Sequence, residues 1–357
     1  MIVIGADTHK RTHALAAIDA VVAQQSIAAD AAGHLQALRR ARRLEDDRVW
    51  ALEDCRHVSG RLEQALGMAG ERVIRVPPRV MGQSRRGERQ VGKSDQIDAL
   101  AVARAVLREG VERFPAAFLD ERAMEIRLLA DHRGDLVAER TRIQNRMRWH
   151  LLDLCPDLEA KLPLRSLDQP RALDRITRKL AQLPADHSRV RIARQLVSSI
   201  RQLTRQADAI ETELRALVRT HSPGLLAETG CGVLTAATLI GRTAGAERFA
   251  TEASFAHQAG TAPIPASSGN RTRHRLHRGG DRQLNRALHT IAITRARLDP
   301  ETRAYIQRKL AEGKTRREAI RCLKRHLARR FYRILTQPQT SAPAIPVNAL
   351  ARIPCLT

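Results

Sequence analysis

Lys93-Ser94-Asp95-Gln96-Ile97-Asp98-Ala99 opens a run of good helix formers, with two carboxylates three positions apart. On a helix, positions i and i+3 share a face, and a helix N-terminus favours negative charge through its dipole. Capping and first-turn acids are ordinary helix-start signals, so the pair by itself marks only where a helix begins. Its weight comes from where the other acids of the first hundred residues fall.

Upstream of this helix, which is expected to run to about Arg108, residues 82–92 (GQSRRGERQVG) show no apolar periodicity and read as a mobile basic loop. Before it come a strand at 72–76 stopped by Pro77-Pro78, a helix from about Val58 to Ala69, and a strand at 48–52 (RVWAL) that ends at Glu53. Earlier still are a helix from about Ala31 to Arg43, two pairing strands at 12–19 and 21–27, and the apolar strand MIVIGA, which ends at Asp7. Three strands, a helix, a strand, a helix, a strand and a closing helix is the order of a ribonuclease H-like domain. In such a sheet, side chains from separate strands converge at the C-terminal edge. Asp7, Glu53, Asp95 and Asp98 would together supply the oxygen ligands that Mg²⁺ or Mn²⁺ prefers. Two such ions activate an attacking oxygen and stabilise the leaving oxygen of a phosphodiester. Without an ion the four acids repel one another, which predicts a strongly raised pKa. Singly, Asp7 reads as a strand-end turn acid and Glu53 as a partner for Arg56 or His57; the four coinciding at these places favours a site.

Downstream, from about Asp120, the pattern becomes wholly helical. Leu129, Leu136 and Ile143 recur every seven residues, with Ile126 and Met147 in support. After a Pro-punctuated break between Pro156 and Pro184, Leu196, Ile200, Leu203, Ala207, Ile210, Leu214 and Leu217 alternate by fours and threes, a seam of about three heptads. Two readings are open: an oligomerisation arm, or an antiparallel hairpin within one chain. His221-Ser222-Pro223-Gly224 marks a domain boundary. Gly230-Cys231-Gly232 follows between two short helices, in the manner of a helix-hairpin-helix element that holds a phosphate on backbone N–H groups. Residues 260–286 then carry an irregular loop with Ser267, Ser268, Gly269 and Asn270, followed by Arg271, Arg273, Arg275, Arg278, Arg282 and Arg286 with Asp281 as the one acid. A serine hydroxyl over an arginine floor is placed to attack phosphorus, and equally to do no more than hydrogen-bond a phosphate. Twelve Lys and Arg between Arg303 and Arg333 form a nucleic-acid face, and the Pro-rich tail from Gln337 reads as disordered.

Composition agrees. The chain has 357 residues and a formal net charge of +24, a surface that calls for a polyanionic partner. Aromatic residues make up 3%, which disfavours a protein that works by stacking many bases. Five widely separated cysteines (Cys55, Cys155, Cys231, Cys322, Cys355) form no metal or disulfide pattern and fit a reducing cytosol. Neither a signal peptide nor a membrane-length apolar run is present, so a cytoplasmic, nucleoid-associated protein is expected.

With these motifs in place (GADTHK, ALED, KSDQIDA, GCGVLTAATLIG and FAHQAGTAPIPASSGNRTRHRLHRGGDRQLNRAL), the chain resembles the transposases of insertion-sequence family one-ten over essentially its whole length. The resemblance implies α/β plus α architecture: a RuvC-like (ribonuclease H-like) domain at 1–118, a helical coiled-coil region at 119–221, a mainly α-helical transposase domain at 222–336 and a tail at 337–357. It implies that Asp7, Glu53, Asp95 and Asp98 bind Mg²⁺, and that a serine of the C-terminal domain becomes joined covalently to DNA. The SG motif puts that role on Ser268, with Ser267 beside it. It implies further partners: double-stranded DNA at element ends and target, a structured bridge RNA as guide, and a second protomer in a homodimer or homotetramer. Two rivals remain: a RuvC-like structure-selective nuclease that uses water, and a non-enzymatic packaging protein, which explains the charge but not the four acids.

Overall fold

The computed structural model describes residues 1–18, 22–44, 47–53, 56–77, 80, 94–117, 120–266 and 274–337. The expected basic loop at 82–92 and the tail beyond Gln337 therefore lie outside the described residues. The chain divides into two compact units, one made of Met1–Asp120 with Thr243–Gln337, the other containing Glu121–Arg242.

The first unit begins with β1 (Ile2–Thr8), β2 (Thr12–Ile18), β3 (Val22–Ala28), α1 (Ala31–Ala41), β4 (Arg48–Glu53), α2 (Arg56–Met68), β5 (Val73–Val76) and α3 (Asp95–Glu109). The five strands form one sheet in the order β3-β2-β1-β4-β5. β1 pairs antiparallel with β2, which pairs antiparallel with β3, while β1-β4 and β4-β5 are parallel. This is the ribonuclease H-like topology expected from the order of elements. β1 is buried along its whole length, as a central strand covered on both faces must be, and an unbroken apolar run is its sequence mark.

Because strand side chains alternate faces, the sheet sorts its residues cleanly. Ile2, Ile4, Ala6, Trp50 and Leu52 pack with Ala37, Leu38, Leu62 and Leu66 of α1 and α2. Val3, Val49 and Ala51 pack on the opposite face with Val102, Ala103 and Val106 of α3. By the same alternation Asp7 and Glu53 belong to the α3 face.

In the second unit, α4 (Glu121–Leu154) and α7 (Ser188–His221) pack side by side, with α5 (Pro156–Ala160) and α6 (Pro170–Ala181) between them in sequence. Arg133 donates to Glu211 and Arg140 to Thr204, and Asp153 pairs with Arg189, so the two long helices run antiparallel. Their shared core contains Leu136, Ile143, Met147 and Leu151 from α4 and Ala193, Val197, Ile200 and Leu203 from α7. The apolar seam is thus satisfied within one chain, as an intramolecular hairpin. Pro170 opens α6 at a first-turn position where its missing N–H costs nothing; Ala172, Leu173, Ile176 and Leu180 face inward from it. α8 (Pro223–Leu226) and α9 (Val233–Thr243) flank Gly230, whose φ of 83° makes the expected turn. No helix among the described residues is long and apolar enough to cross a membrane.

The first unit is completed by α10 (Glu252–Gln258), the short strands β6 (Ile264–Pro265) and β7 (His274–Arg275), α11 (Arg282–Leu298), α12 (Pro300–Ala311) and α13 (Arg316–Thr336). Its core includes Phe255, Leu288, Ile291, Leu327 and Phe331.

Candidate active site

Asp7 and Glu53 are brought together by register. β1 and β4 pair through Ala6 opposite Leu52, so the next residue on each strand is Asp7 on one and Glu53 on the other. In-register residues of parallel neighbours point to the same face about 4.8 Å apart. Asp7 lies inside β1 rather than after it, since the strand continues to pair with β2 through Asp7–Ala14 and Thr8–His13.

Gly5 lets the third acid-bearing element close on this corner. A Cβ at Gly5 would stand 2.1 Å from the Ala99 carbonyl oxygen and 2.7 Å from the Ala103 nitrogen, both backbone atoms of α3. Only glycine permits that approach. It seats the first turns of α3 directly over β1, with Ala14, Ala16, Ala99 and Leu100 filling the contact beside it. Ser94 caps α3, its hydroxyl accepting from the Ile97 N–H at 3.3 Å. Asp95 and Asp98 are accordingly free of the capping task, and the helix dipole favours both.

The acids converge in different degrees. Asp7 and Asp98 are buried at 4% and 5% exposure, whereas Asp95 is exposed. Burial raises the Asp7 carboxyl above its ordinary value; His9 opposes the rise, and Asp98 and Asp95 add to it. Burial is thus the main reason that Asp7 resists ionising, and the neighbouring carboxylates add to it. His9 sits in the β1-β2 turn, where its backbone N–H donates to the Thr12 carbonyl at 3.0 Å. Its Nε2 is 3.2 Å from Asp7 Oδ2 and 3.2 Å from Asp95 Oδ1. Asp7, His9 and Asp95 each offer a ligand atom within 4.8 Å of the others. Two carboxylates and an imidazole within one ion's reach, with buried Asp98 alongside and Glu53 on the adjoining strand end, form a donor set that fits a divalent cation.

His9 and Arg75 join the site through the fold. For His9 the sequence carries a signal: it stands two residues after Asp7, the spacing that keeps a side chain on the same strand face. Arg75 interrupts the apolar run of β5 and is 1% exposed. Its guanidinium donates to Ser59 Oγ at 2.9 Å, pairs with Glu63, and reaches the Glu53 carbonyl at 3.5 Å. It thereby ties α2 to the end of β4 that carries the acid.

The serine-bearing segment is organised at its base. Gly260 has φ of 63°, and a Cβ on Gly280 would stand 2.2 Å from the Gly260 nitrogen, so the chain enters and leaves this segment through two touching glycines. Asn285 Nδ2 donates to the Ala259 and Gly260 carbonyls at 2.8 and 3.0 Å. Above the clamp, Ile264 pairs with Arg275 and Pro265 with His274. Ser267, Ser268, Arg271 and Arg273 follow in the connection between these strands and lie outside the described residues. Arg275, Arg278, Arg282 and Arg286 are exposed. Lys324, expected on an outer nucleic-acid face, is instead buried.

Residues 4–156 match a family described as Transposase, and residues 225–307 match one described as Transposase IS116/IS110/IS902 family. The uncharacterized 43.6 kDa protein of insertion element IS110 from Streptomyces coelicolor is 30% identical over 64% of this chain and 67% of its own length. The uncharacterized 42 kDa protein of IS900 from Mycobacterium paratuberculosis is 27% identical over 91% of this chain and 92% of the relative. Among solved structures, Thermus thermophilus RuvC in complex with a Holliday junction substrate overlaps 31% of this chain and 96% of RuvC, at 17% identity and a TM-score of 0.24.

Proposed function

Because this chain belongs to the IS116/IS110/IS902 family of transposases, which are DNA-processing enzymes, we propose that it excises and inserts a mobile element through a covalent protein-DNA intermediate on Ser268, with Asp7, Glu53, Asp95 and Asp98 binding Mg²⁺ or Mn²⁺. The observation that carries the metal reading is the crowding at Asp7: a buried carboxylate with a raised pKa, beside Asp98, with Asp95 and His9 within reach of one ion. When bound, the divalent cation would neutralise charge on the scissile phosphate and ease deprotonation of the attacking hydroxyl.

The chain's own residues supply the rest. The close approach at Gly5 and the β1-β4 register support this reading, since they put the backbones that carry the acids next to one another before any substrate arrives. The imidazole of His9, 3.2 Å from both Asp7 and Asp95, would add a nitrogen ligand to such an ion. In the transfer step, the Ser268 hydroxyl gives up its proton as its oxygen bonds to phosphorus. The phosphorus–oxygen bond to one DNA strand breaks, and that strand leaves as a free hydroxyl. A hydroxyl of the recipient strand then attacks the phosphoserine, and serine is released as its own leaving group. Bond energy is conserved through both steps, so no nucleotide cofactor is needed.

A homodimer or homotetramer is part of this reading, because element ends and target DNA must be held at once. The guide is a structured bridge RNA, as the family resemblance implies.

The test is recovery of covalent adducts after denaturation, with labelled DNA and the co-expressed RNA. Wild-type protein and Ser267→Ala should yield adducts, whereas Ser268→Ala and Asp7→Asn should yield none. Adducts from Ser268→Ala but not Ser267→Ala would move the nucleophile by one residue. Strand cleavage without adducts in any of the proteins would establish the alternative, a RuvC-like structure-selective nuclease that uses water.

A further inference from the structure

α12, α13 and the two arms of the β6-β7 hairpin, residues 260–263 and 274–277, line a cavity of about 380 Å³. Its most unusual wall is Lys324. This residue is 6% exposed, and its Nζ donates to Asn285 Oδ1 at 2.6 Å. No carboxylate pairs with it among the described residues, where its hydrogen-bond partner is the neutral Asn285, and residues 261–280 contain no acid at all. Burying an ammonium without a counter-charge is costly, and the low-lying Lys324 pKa, brought down to about 8 by burial, reflects that cost. A lysine kept this way at a cavity wall implies an anion that completes it.

The remaining cations of the cavity differ in availability. Lys309 is held by Glu312 at 2.8 Å, Arg321 lies 3.6 Å from Glu318, and Arg325 donates to the Glu252 carbonyl at 3.2 Å. Arg275 is exposed, and no ion pair engages it among the described residues. Facing these charges are apolar walls. Leu276 is 45% exposed, Pro263 lies across the hairpin from it, and Tyr305 has a buried hydroxyl with no hydrogen-bond partner. The cavity therefore joins a cationic compartment to an apolar one that also has a polar group to satisfy. That is the complement of a nucleotide, with a phosphate at one end and a flat base carrying hydrogen-bonding edges at the other. Its volume lies at the small end of ligand cavities. It is too small for a paired duplex, whose major groove alone is about 12 Å wide.

We propose that this cavity takes one unpaired nucleotide of a nucleic-acid strand, its phosphate held by Lys324 and Arg275 and its base lodged against Leu276, Pro263 and Tyr305. The identity of the strand rests on the recombinase reading above; the binding does not. A nucleotide held here is drawn out of its duplex beside the serine-bearing segment, which gives the protein a way to fix the strand next to the phosphate it attacks.

The experiment separates this from catalysis. Binding is measured by fluorescence anisotropy in Ser268→Ala protein with EDTA present, using labelled fifteen-residue oligo-dT, oligo-U and a fifteen-pair DNA duplex. Lys324→Met and Leu276→Asp should each weaken single-strand binding about tenfold or more, as expected when a base contact is lost, while duplex binding changes less than about twofold. Loss confined to oligo-dT assigns the cavity to a DNA strand, and loss on oligo-U to RNA; both support it. Equal loss on duplex and single strands would reduce the cavity to part of a general cationic surface, and unchanged binding in both variants would overturn the proposal. Leu276 and Arg275 are exposed, so Leu276→Asp and Arg275→Gln keep the test decisive if Lys324→Met does not fold.

Discussion

The acidic corner and the cationic cavity are opposite solutions to one problem, the holding of like charges together in a folded chain. At the corner, two carboxylates of α3 lie near Asp7, and burial, with their repulsion added, raises its pKa. In the cavity, a lone buried ammonium has its pKa lowered. Both shifts run toward neutrality, and an oppositely charged ligand would relieve each. The means of construction differ. The corner is set by strand register and one glycine, features of short range and fixed period. The cavity is assembled from side chains that meet only after two helices and a hairpin have packed. Regular backbone thus fixes the chemistry of one region, and tertiary packing fixes the other.

The strongest test of that contrast is Gly5→Val. A side chain there collides with the backbone of α3, and overpacking of this kind costs about 1–3 kcal/mol or more. Thermal unfolding should shift down by several degrees, and DNA strand transfer should fall by at least about a hundredfold, because the acids of α3 no longer meet Asp7. Full activity with a displaced α3 would break the claim that close approach organises the corner.

Lys324→Met should do the reverse in the cavity. Replacing an uncompensated buried charge with an apolar side chain of similar length is often neutral or stabilising, so the melting temperature should hold or rise while single-strand binding falls. Marked destabilisation would mean that Lys324 serves the fold through Asn285, and the two regions would be less alike than their pKa shifts suggest.

A smaller effect concerns the β1-β2 end of the sheet. His13, on β2 opposite Thr8, stacks on His34 with their Nε2 atoms 3.3 Å apart. Burial lowers the His13 pKa to about 4, with His34 adding to the effect and His9 contributing; His34 is itself lowered by burial, with Arg61 adding and Asp30 opposing. The unfolded chain therefore binds more protons than the folded one between pH 6.5 and about 4. This contribution to stability is complete above pH 6.5 and is lost as pH falls through that window. Melting curves of wild type and His13→Gln should diverge in slope there and run parallel from pH 7 to 8.

The same contrast explains what the sequence disclosed. The strand order, the helix boundaries around Asp95 and the face shared by Asp7 and Glu53 follow from periods of two and 3.6 residues, which a linear pattern carries. The intramolecular partner of the α4 seam did not follow, since a heptad pattern does not state whose helix it faces. α6 was concealed because its prolines resembled a break, although Ala172, Leu173, Ile176 and Leu180 kept helical spacing. Lys324 looked like one more cation among twelve. Its inward turn depends on Asn285, thirty-nine positions away, and no local pattern reveals a contact at that distance.

The touching glycines at 260 and 280 carry a consequence of their own. Because the two backbones touch where this excursion begins and ends, any side chain at position 280 would prise its described arms apart, and the walls that Pro263 and Leu276 give the cavity would move with them.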